Sequence, residues 1–261
     1  MVGRLNWSLE VLPSAAEASR VLADRLVQLS ADAIARSGRF TLAVSGGRTP
    51  ADLYTLLARE YQQKIPWGAT ELFFADERAV PPQDDRSNFA LVQRTLLSKL
   101  PAPGPRVHRI EGERTPTQTE ADRYEADLRA TLRGAPAGPP TDVTFDLILL
   151  GVGSDGHTAS LFPGAPSLEE ASRWTIVEPS PHLDPKVTRI SLTMPVIRSS
   201  RKAIFLVCGD DKGPILKQVF EDPARGTLAA RLPSAMVGTS EGVDWYLDSA
   251  AAPRAEAAPS A

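Results

Sequence analysis

The amino-acid sequence predicts an α/β protein in which helices flank a mostly parallel β-sheet. Four short, largely apolar runs end in glycine or acidic residues, and they cover residues 40–44, 72–75, 145–150 and 203–208. Such continuous runs are typical of strands that are buried on both faces, as in parallel sheets. Helical segments between these strands would complete the layers of an α/β fold, joined by right-handed crossover connections.

Three segments between or beside these strands have the apolar spacing of helices. The first covers residues 15–35 and the second covers 50–61, so they lie on either side of the predicted strand at 40–44. The third covers 212–220 and follows the predicted strand at 203–208. Their apolar positions are Val21, Leu22, Leu26 and Leu29 in the first helix, Leu53, Leu56 and Leu57 in the second, and Ile215, Leu216 and Val219 in the third.

The chain is predicted to form one domain over residues 1–248. With 261 residues, of which 42% are hydrophobic, it can bury a substantial core. Two Pro/Gly-rich stretches, 101–105 and 134–140, are short and are each followed by another strand-like segment, so we expect surface loops rather than domain linkers. Residues 249–261 are rich in alanine and proline, which predicts a disordered tail.

The composition argues against several classes of partner. The 29 basic and 32 acidic residues give a net charge of −3, which provides no broad positive field for nucleic-acid binding. No window approaches the ~18 apolar residues of a membrane span, and residues 1–10 lack a signal-peptide pattern, so a cytoplasmic protein is expected. The single cysteine, Cys208, excludes an intramolecular disulfide and is predicted to be a buried core residue.

The loop at residues 45–50, Ser-Gly-Gly-Arg-Thr-Pro, is the first candidate site, because ligands of open α/β sheets bind beyond the carboxyl ends of strands. Gly46 and Gly47 would let backbone amides approach a ligand, and the N-terminus of the following helix favours negative charge. The loop is therefore predicted to hold a phosphate. The alternative is a capping box formed by Thr49 and Asp52. A Walker loop is excluded, because the Gly-Lys-Ser/Thr ending is missing.

Three charged residues, Asp76, Glu77 and Arg78, follow the predicted strand at 72–75. They could form a solvated charge cluster with no further role. The alternative is a ligand site, because the planar guanidinium of Arg78 is well shaped for a phosphate.

The loop at residues 151–163 carries the main candidates for acid–base chemistry. Its first six residues match Gly-x-Gly-x-x-Gly, a fingerprint of dinucleotide sites. A dinucleotide is not expected, because Asp155 would place a carboxylate where the pyrophosphate must lie and Pro163 would end the following helix. Asp155 and His157 remain as an ionisable pair on a glycine-rich turn. A histidine can act as a base near neutral pH, and a neighbouring carboxylate can fix its tautomer.

The rest of the chain offers little other catalytic chemistry. His108 and His182 are both predicted to be surface residues. Three widely spaced histidines and one cysteine provide no metal-ligand spacing, and the Gly-x-Ser-x-Gly elbow of a serine hydrolase is absent. Neither a metal nor a cofactor is expected.

Together, these loops resemble the 6-phosphogluconolactonase family. The most specific stretch is residues 155–163, Asp-Gly-His-Thr-Ala-Ser-Leu-Phe-Pro. The other matching positions lie in order along the chain, and they are residues 45–50, 73–78, 86–88, 151–154 and 189–193, with Lys212 and Trp245. The resemblance implies a single Rossmann-like α/β domain, shared with glucosamine-6-phosphate deaminase and ribose-5-phosphate isomerase, that binds no nucleotide.

The activity that this resemblance implies is hydrolysis of 6-phospho-D-glucono-1,5-lactone to 6-phospho-D-gluconate in the oxidative pentose phosphate pathway. The only partner expected is this small sugar-phosphate lactone, and a monomer is expected because family members are often monomeric. The phosphate would be held by Arg78, Lys212 and the turn formed by Ser45, Gly46 and Gly47. The chain departs from many relatives at Arg48, where they carry a small polar residue.

The catalytic roles implied by the resemblance fall on His157 and Asp155. His157 would take a proton from the attacking water and return it to the ring oxygen, while Asp155 would orient His157 or stabilise its charged form. The donors to the developing oxyanion are left open between the backbone amides of residues 151–156 and Arg189. The segment around Arg189 also fits an ordinary edge strand.

Two other functions are alternatives to hydrolysis. An isomerase or deaminase of amino-sugar phosphates would share the phosphate turn, but its pattern has tyrosine in place of Arg78 and glutamate in place of Phe162. A non-catalytic sugar-phosphate sensor could dispense with Asp155 and His157, and it would commonly carry a DNA-binding domain that is not recognisable here.

Overall fold

The computed structural model describes residues 6–132, 139–142, 144–179, 184–221 and 232–253. His182, most of the predicted loop at 134–140 and residues 254–261 of the predicted tail lie outside this range. The strands are β1 (Trp7–Leu12), β2 (Phe40–Val44), β3 (Thr70–Phe74), β4 (Asp76–Arg78), β5 (Arg106–Val107), β6 (Leu147–Leu150), β7 (Thr175–Glu178), β8 (Arg189–Leu192), β9 (Lys202–Val207) and β10 (Val243–Asp248). The α-helices are α1 (Ala15–Ser37), α2 (Arg48–Glu60), α3 (Asn88–Thr95), α4 (Thr117–Thr131), α5 (Met194–Ser199), α6 (Gly213–Glu221) and α7 (Pro233–Met236).

Seven strands form a parallel sheet in the order β1-β10-β9-β6-β2-β3-β5, and helices flank it. The predicted α/β class and the mostly parallel sheet are therefore confirmed. The four predicted strands correspond to β2, β3, β6 and β9, and β2 is buried along its whole length. The proline-rich stretch at 101–105 connects to β5, which pairs with β3, so it is not a domain boundary.

The three predicted helices correspond to α1, α2 and α6. Local sequence fixes both ends of α1. At its N-terminus the Ser14 side chain accepts a hydrogen bond from the Glu17 amide, and at its C-terminus Gly38 adopts a φ of 75° and donates to Ile34. Residues such as Leu22 and Leu26 then bury one face of the helix.

A second, antiparallel sheet was not predicted. It contains three short strands in the order β4-β8-β7. Its middle strand, β8, is paired on both sides, so the interpretation of this segment as an edge strand was wrong. Because β4 follows β3 after a single residue, this small sheet begins at the carboxyl end of the large one.

His108 is not a surface residue, contrary to the sequence-based prediction. Its side chain is 4% exposed and lies between two carboxylates, with Nδ1 2.9 Å from Asp127 Oδ2 and Nε2 2.6 Å from Glu71 Oε2. The ring stacks on Phe73 at a centroid distance of 4.1 Å. The basic neighbours in the sequence gave no sign of these partners, which come from β3 and α4.

Two other expectations concern the end of the chain and its core. The packed structure continues past residue 248, because Ala251 is fully buried and the Ser249 hydroxyl donates to the Pro13 carbonyl. Cys208 is buried, as predicted, and burial raises the pKa of its thiol to about 12. Across the described part of the chain, no helix combines the length and apolar character needed to cross a bilayer.

Candidate active site

The three candidate loops converge because β6, β2 and β3 are parallel neighbours in the large sheet. Their carboxyl ends lead into residues 151–163, residues 45–50 and β4, and these segments surround a cleft of about 180 Å³. Of the predicted site residues, Ser45, Gly46, Gly47, Arg78, His157 and Arg189 line this cleft. Lys212 does not line it, and neither does Asp155, which contacts Nδ1 of the His157 ring.

The predicted phosphate turn forms the N-terminus of α2. Gly47 is the residue before the helix, and its φ of 116° is a conformation that favours glycine. Thr49 lies inside α2 rather than before it, and no side chain caps the helix. The capping-box alternative was therefore wrong. The amides at the start of α2 are thus not occupied by a capping side chain, which suits anion binding.

Ser45 holds the phosphate turn to the neighbouring strands. Its hydroxyl donates to the Leu149 carbonyl at 2.8 Å, and its own carbonyl accepts from the Tyr54 hydroxyl at 2.7 Å. Since Ser45 is 5% exposed, its side chain serves mainly to anchor the turn.

Glu77 is a structural carboxylate, although it lies beside the cleft. It is 2% exposed and accepts hydrogen bonds from the amides of Arg78, Asn88 and Phe89 and from the Ser87 hydroxyl. Burial raises the pKa of Glu77, and the four hydrogen bonds oppose this. The solvated-cluster alternative for this segment is therefore wrong, because Glu77 fastens the start of α3 to β4.

Arg78 and Arg189 face each other across the β4–β8 pair. Arg78 Nη1 donates to the Arg86 carbonyl at 2.6 Å, and Arg189 Nη2 donates to the Pro185 carbonyl at 3.2 Å. In the part of the chain that the structure describes, neither Nε has a hydrogen-bond partner. Like charges directly opposite in an antiparallel pair repel, so this arrangement suits an anionic ligand.

Arg189 is unusually enclosed for a charged residue. It is 3% exposed, and its Cζ lies 5.4 Å from the centre of the Phe162 ring. Burial lowers the pKa of Arg189, while the Asp76 carboxylate opposes that effect. The same Phe162 ring packs against His157 at a centroid distance of 4.6 Å, and Arg189 and His157 line the same cleft.

Asp155 and His157 form the predicted acid–base pair. His157 Nδ1 lies 2.6 Å from Asp155 Oδ1, and the same oxygen accepts from the His157 amide at 3.1 Å. Burial would raise the pKa of Asp155, but the hydrogen bond and charge of His157 outweigh it and lower this pKa to about 2. With Nδ1 committed to a carboxylate, Nε2 is the ring nitrogen that remains for proton transfer.

Gly153 supports the His157 ring and could not be replaced without moving it. A Cβ at this position would lie 2.0 Å from His157 Nδ1. The Gly153 amide also donates to the His157 carbonyl at 2.9 Å, which closes the turn. The glycine-rich sequence therefore shapes a histidine-bearing turn rather than a dinucleotide site.

Lys212 lines a second cavity of about 180 Å³ that adjoins the cleft. The two cavities share Gly46 and Gly47 of the phosphate turn as part of their walls. Lys212 Nζ lies 3.4 Å from Asp211 Oδ2, and Arg48 also borders this cavity. The predicted phosphate ligands are thus divided, with Arg78 on one side of the turn and Lys212 on the other.

Sequence reasoning assigned no role to Asn88 or Ser160, which contact Asp76 in the wall of the cleft. Both lie within the segments that carry the family resemblance, which is the only signal that could have pointed to them. In the described residues, no group of three or more His, Cys, Asp or Glu side chains is arranged to hold a metal ion.

Comparisons with known proteins show the family of this chain. A family model described as "Glucosamine-6-phosphate isomerases/6-phosphogluconolactonase" matches residues 13–245. The chain belongs to this family. Among members of the glucosamine-6-phosphate isomerase/6-phosphogluconolactonase family, the 6-phosphogluconolactonase of Rattus norvegicus is 37% identical over 255 residues, which are 94% of this chain and 92% of the rat protein.

Further members of the family are similar in sequence and in structure. The 6-phosphogluconolactonase of Haemophilus influenzae is 36% identical over 212 residues, covering 80% of this chain and 85% of that protein. The structure of 6-phosphogluconolactonase from Trypanosoma brucei aligns with a TM-score of 0.79 at 26% identity, covering 95% of this chain and 98% of that one. The family resemblance predicted from the sequence is therefore confirmed.

Proposed function

We propose that this protein is a 6-phosphogluconolactonase, which hydrolyses 6-phospho-D-glucono-1,5-lactone to 6-phospho-D-gluconate in the oxidative pentose phosphate pathway. The observation that carries the proposal is the Asp155–His157 hydrogen bond of 2.6 Å beside a cleft that two arginines border. Such a pair can move a proton during attack of water on a carbonyl. We also propose a cytoplasmic monomer that needs no cofactor.

The substrate phosphate is proposed to bind at the Gly46–Gly47 turn. Amides at the start of α2 would donate to its oxygens, with Arg78 on the cleft side of the turn and Lys212 on the other side. Binding at this remote point would hold the lactone ring in the cleft next to His157, so that binding energy supplies orientation at the reacting carbon.

In the proposed reaction, His157 Nε2 accepts a proton as a water molecule attacks the lactone carbonyl. The bond between the carbonyl carbon and the ring oxygen then breaks, and the imidazolium returns its proton to that oxygen. Asp155 accepts a hydrogen bond from Nδ1 throughout and stabilises the imidazolium. Help of this kind is typically worth about 10²–10⁴-fold in rate.

Arg189 is proposed to stabilise the oxyanion that develops on the carbonyl. Arg189 and His157 both line the cleft, and both contact the Phe162 ring. A donor that is held in place in a largely buried site stabilises developing charge more strongly than one in water.

The main rival within the family is an isomerase or deaminase of amino-sugar phosphates. The acid–base relay of such an enzyme would use a glutamate where this chain has Phe162, and Phe162 packs its ring against His157 instead. This position offers no proton donor or acceptor, which supports hydrolysis over isomerisation.

The test is to supply freshly generated 6-phospho-D-glucono-1,5-lactone and, separately, glucosamine 6-phosphate at neutral pH. We expect lactone hydrolysis well above the rate in buffer and no release of ammonia from the amino sugar. Lactone loss at the spontaneous rate would overturn the proposed function, and ammonia release would favour the deaminase.

A further inference from the structure

The Asp76 carboxylate occupies the wall of the cleft, but its hydrogen bonds do not suit a general base. It is 4% exposed, and both of its oxygens are already engaged. Oδ1 accepts from Asn88 Nδ2 at 3.0 Å, and Oδ2 accepts from the Ser160 hydroxyl at 2.6 Å. Asn88 Nδ2 also donates to the Asp76 carbonyl at 2.9 Å, which fixes the orientation of the Asn88 amide.

On one side, Asn88 connects Asp76 to the phosphate turn. Asn88 is 1% exposed, and its Oδ1 faces Gly46 so closely that a Cβ on Gly46 would lie 1.8 Å from it. The Asn88 backbone amide donates to Glu77 at 2.7 Å, so both its backbone and its side chain are held by β4. Gly46 therefore packs directly against a side chain that residues after β3 hold in place.

On the other side, Ser160 connects Asp76 to the histidine loop. Ser160 is fully buried, and its amide donates to the Ser191 hydroxyl on β8 at 3.2 Å. Between His157 and Ser160, Ala159 has a φ of 49°, which is uncommon for a residue other than glycine and needs support from its surroundings. The two bonds of Ser160 supply that support.

We propose that Asn88 and Ser160 are positioning residues that act through Asp76 to set the separation between the phosphate turn and His157. The proposal rests on the proposed function, because that separation must match the length of a phosphorylated lactone. Asn88 governs where the phosphate lies, and Ser160 governs where the imidazole lies. Displacements of about 1 Å in such arrangements can cost about 10²-fold in rate.

Substitutions of Asn88 and of Ser160 should change different constants, the first Kd and KM and the second kcat. A general loss of structure would not separate these effects. Asn88→Ala should raise the Kd for 6-phospho-D-gluconate and the KM for the lactone by roughly 10-fold, with a smaller change in kcat. Ser160→Ala should lower kcat by about 10- to 100-fold and leave that Kd within about twofold. Calorimetric titration of the product and initial rates on the lactone measure both quantities.

A buried serine away from the cleft provides the matched control. Ser30 is fully buried in α1, and its hydroxyl donates to the Val27 carbonyl at 2.8 Å, so Ser30→Ala should change neither constant. If Asn88→Ala does not fold, Asn88→Ser takes its place, and the nearly isosteric Ser160→Ala tests the histidine side of the network in either case. Parallel changes in Kd and kcat in both variants, or no change in either, would overturn the inference. A native protein that binds the product but does not accelerate lactone hydrolysis would instead overturn the proposed function.

Discussion

At the scale of single residues, the proposed catalysis depends on the hydrogen bond between Asp155 and His157. The sequence predicted this pair because two ionisable residues lie two positions apart on a glycine-rich turn after a buried strand. It did not predict that Gly153 would lie directly beneath the imidazole, because the packing of a ring on a backbone leaves no signature in the order of residues.

Replacing Asp155 with asparagine tests the role of its charge in catalysis. The variant keeps the size of the side chain but removes the carboxylate that fixes the His157 tautomer, so kcat should fall by about 10²-fold or more. Initial rates at saturating lactone measure this effect. An Asp155→Asn enzyme with the native kcat would show that the carboxylate plays no part in catalysis.

The Asp155 carboxylate should also make the stability of the folded protein depend on pH. The pKa of Asp155 in the folded protein, about 2, lies below its ordinary value of 3.8, so the ionised carboxylate stabilises the folded state. This contribution is fully present above about pH 4 and is lost as the pH falls towards 2. Urea unfolding should show the free-energy gap between the native protein and Asp155→Asn narrowing by about 1 kcal/mol between pH 6 and pH 3. A gap that stays constant or widens would contradict the lowered pKa.

His108 shows where reasoning from single residues failed. Its neighbours in the sequence are basic, but Glu71 and Asp127, which flank its ring, lie far away along the chain. A buried histidine with two carboxylate partners is distinguishable from a surface histidine only when the tertiary structure is known.

At the scale of secondary-structure elements, the small antiparallel sheet is the feature that brings Arg78 and Arg189 together. Its strands have three or four residues and carry charged side chains, so they lack the apolar runs that revealed β2, β3, β6 and β9. The edge strand β1 and its neighbour β10 were also missed. Every residue of β1 but the last is exposed, and two aspartates interrupt the apolar character of β10.

Inorganic phosphate should bind at the Gly46–Gly47 turn beside Arg78 and stabilise the folded protein, because its negative charge also relieves the repulsion between Arg78 and Arg189. At a phosphate concentration of about 100 times Kd, the gain in the free energy of unfolding is about 2.7 kcal/mol. We expect a rise in Tm for the native protein and a clearly smaller rise for Arg78→Gln and for Arg189→Gln, measured by thermal unfolding. The matched control is Arg94→Gln, which removes the same charge from a side chain on α3 that is 58% exposed. Equal phosphate effects in all four proteins would show that neither Arg78 nor Arg189 influences phosphate binding.

At the scale of the whole molecule, the order of strands in the large sheet determines which loops meet. Because β6, β2 and β3 are adjacent, segments that are distant in the sequence surround one cleft. The rule that ligands lie beyond the carboxyl ends of parallel strands was enough to select those loops. The apolar runs do not determine the order of the strands. The placement of Arg78 and Lys212 in two adjoining cavities was therefore not predictable from the sequence.

The network of Asp76, Asn88 and Ser160 belongs to this same scale. It links three segments that are separate candidate sites in the sequence, and it does so through buried side chains whose contacts are not predictable from local patterns. The distance between the phosphate turn and the histidine is therefore a property of the whole fold rather than of any one motif.

The most direct measurement is the rate of 6-phospho-D-glucono-1,5-lactone hydrolysis near neutral pH by the native protein and by His157→Ala, with the fold of the variant verified by circular dichroism. We predict that kcat falls by about 10²–10⁴-fold in the variant. Binding of 6-phospho-D-gluconate should change little, because the phosphate site is left intact. A folded His157→Ala variant that hydrolyses the lactone at the native rate would contradict the assignment of His157 as the base.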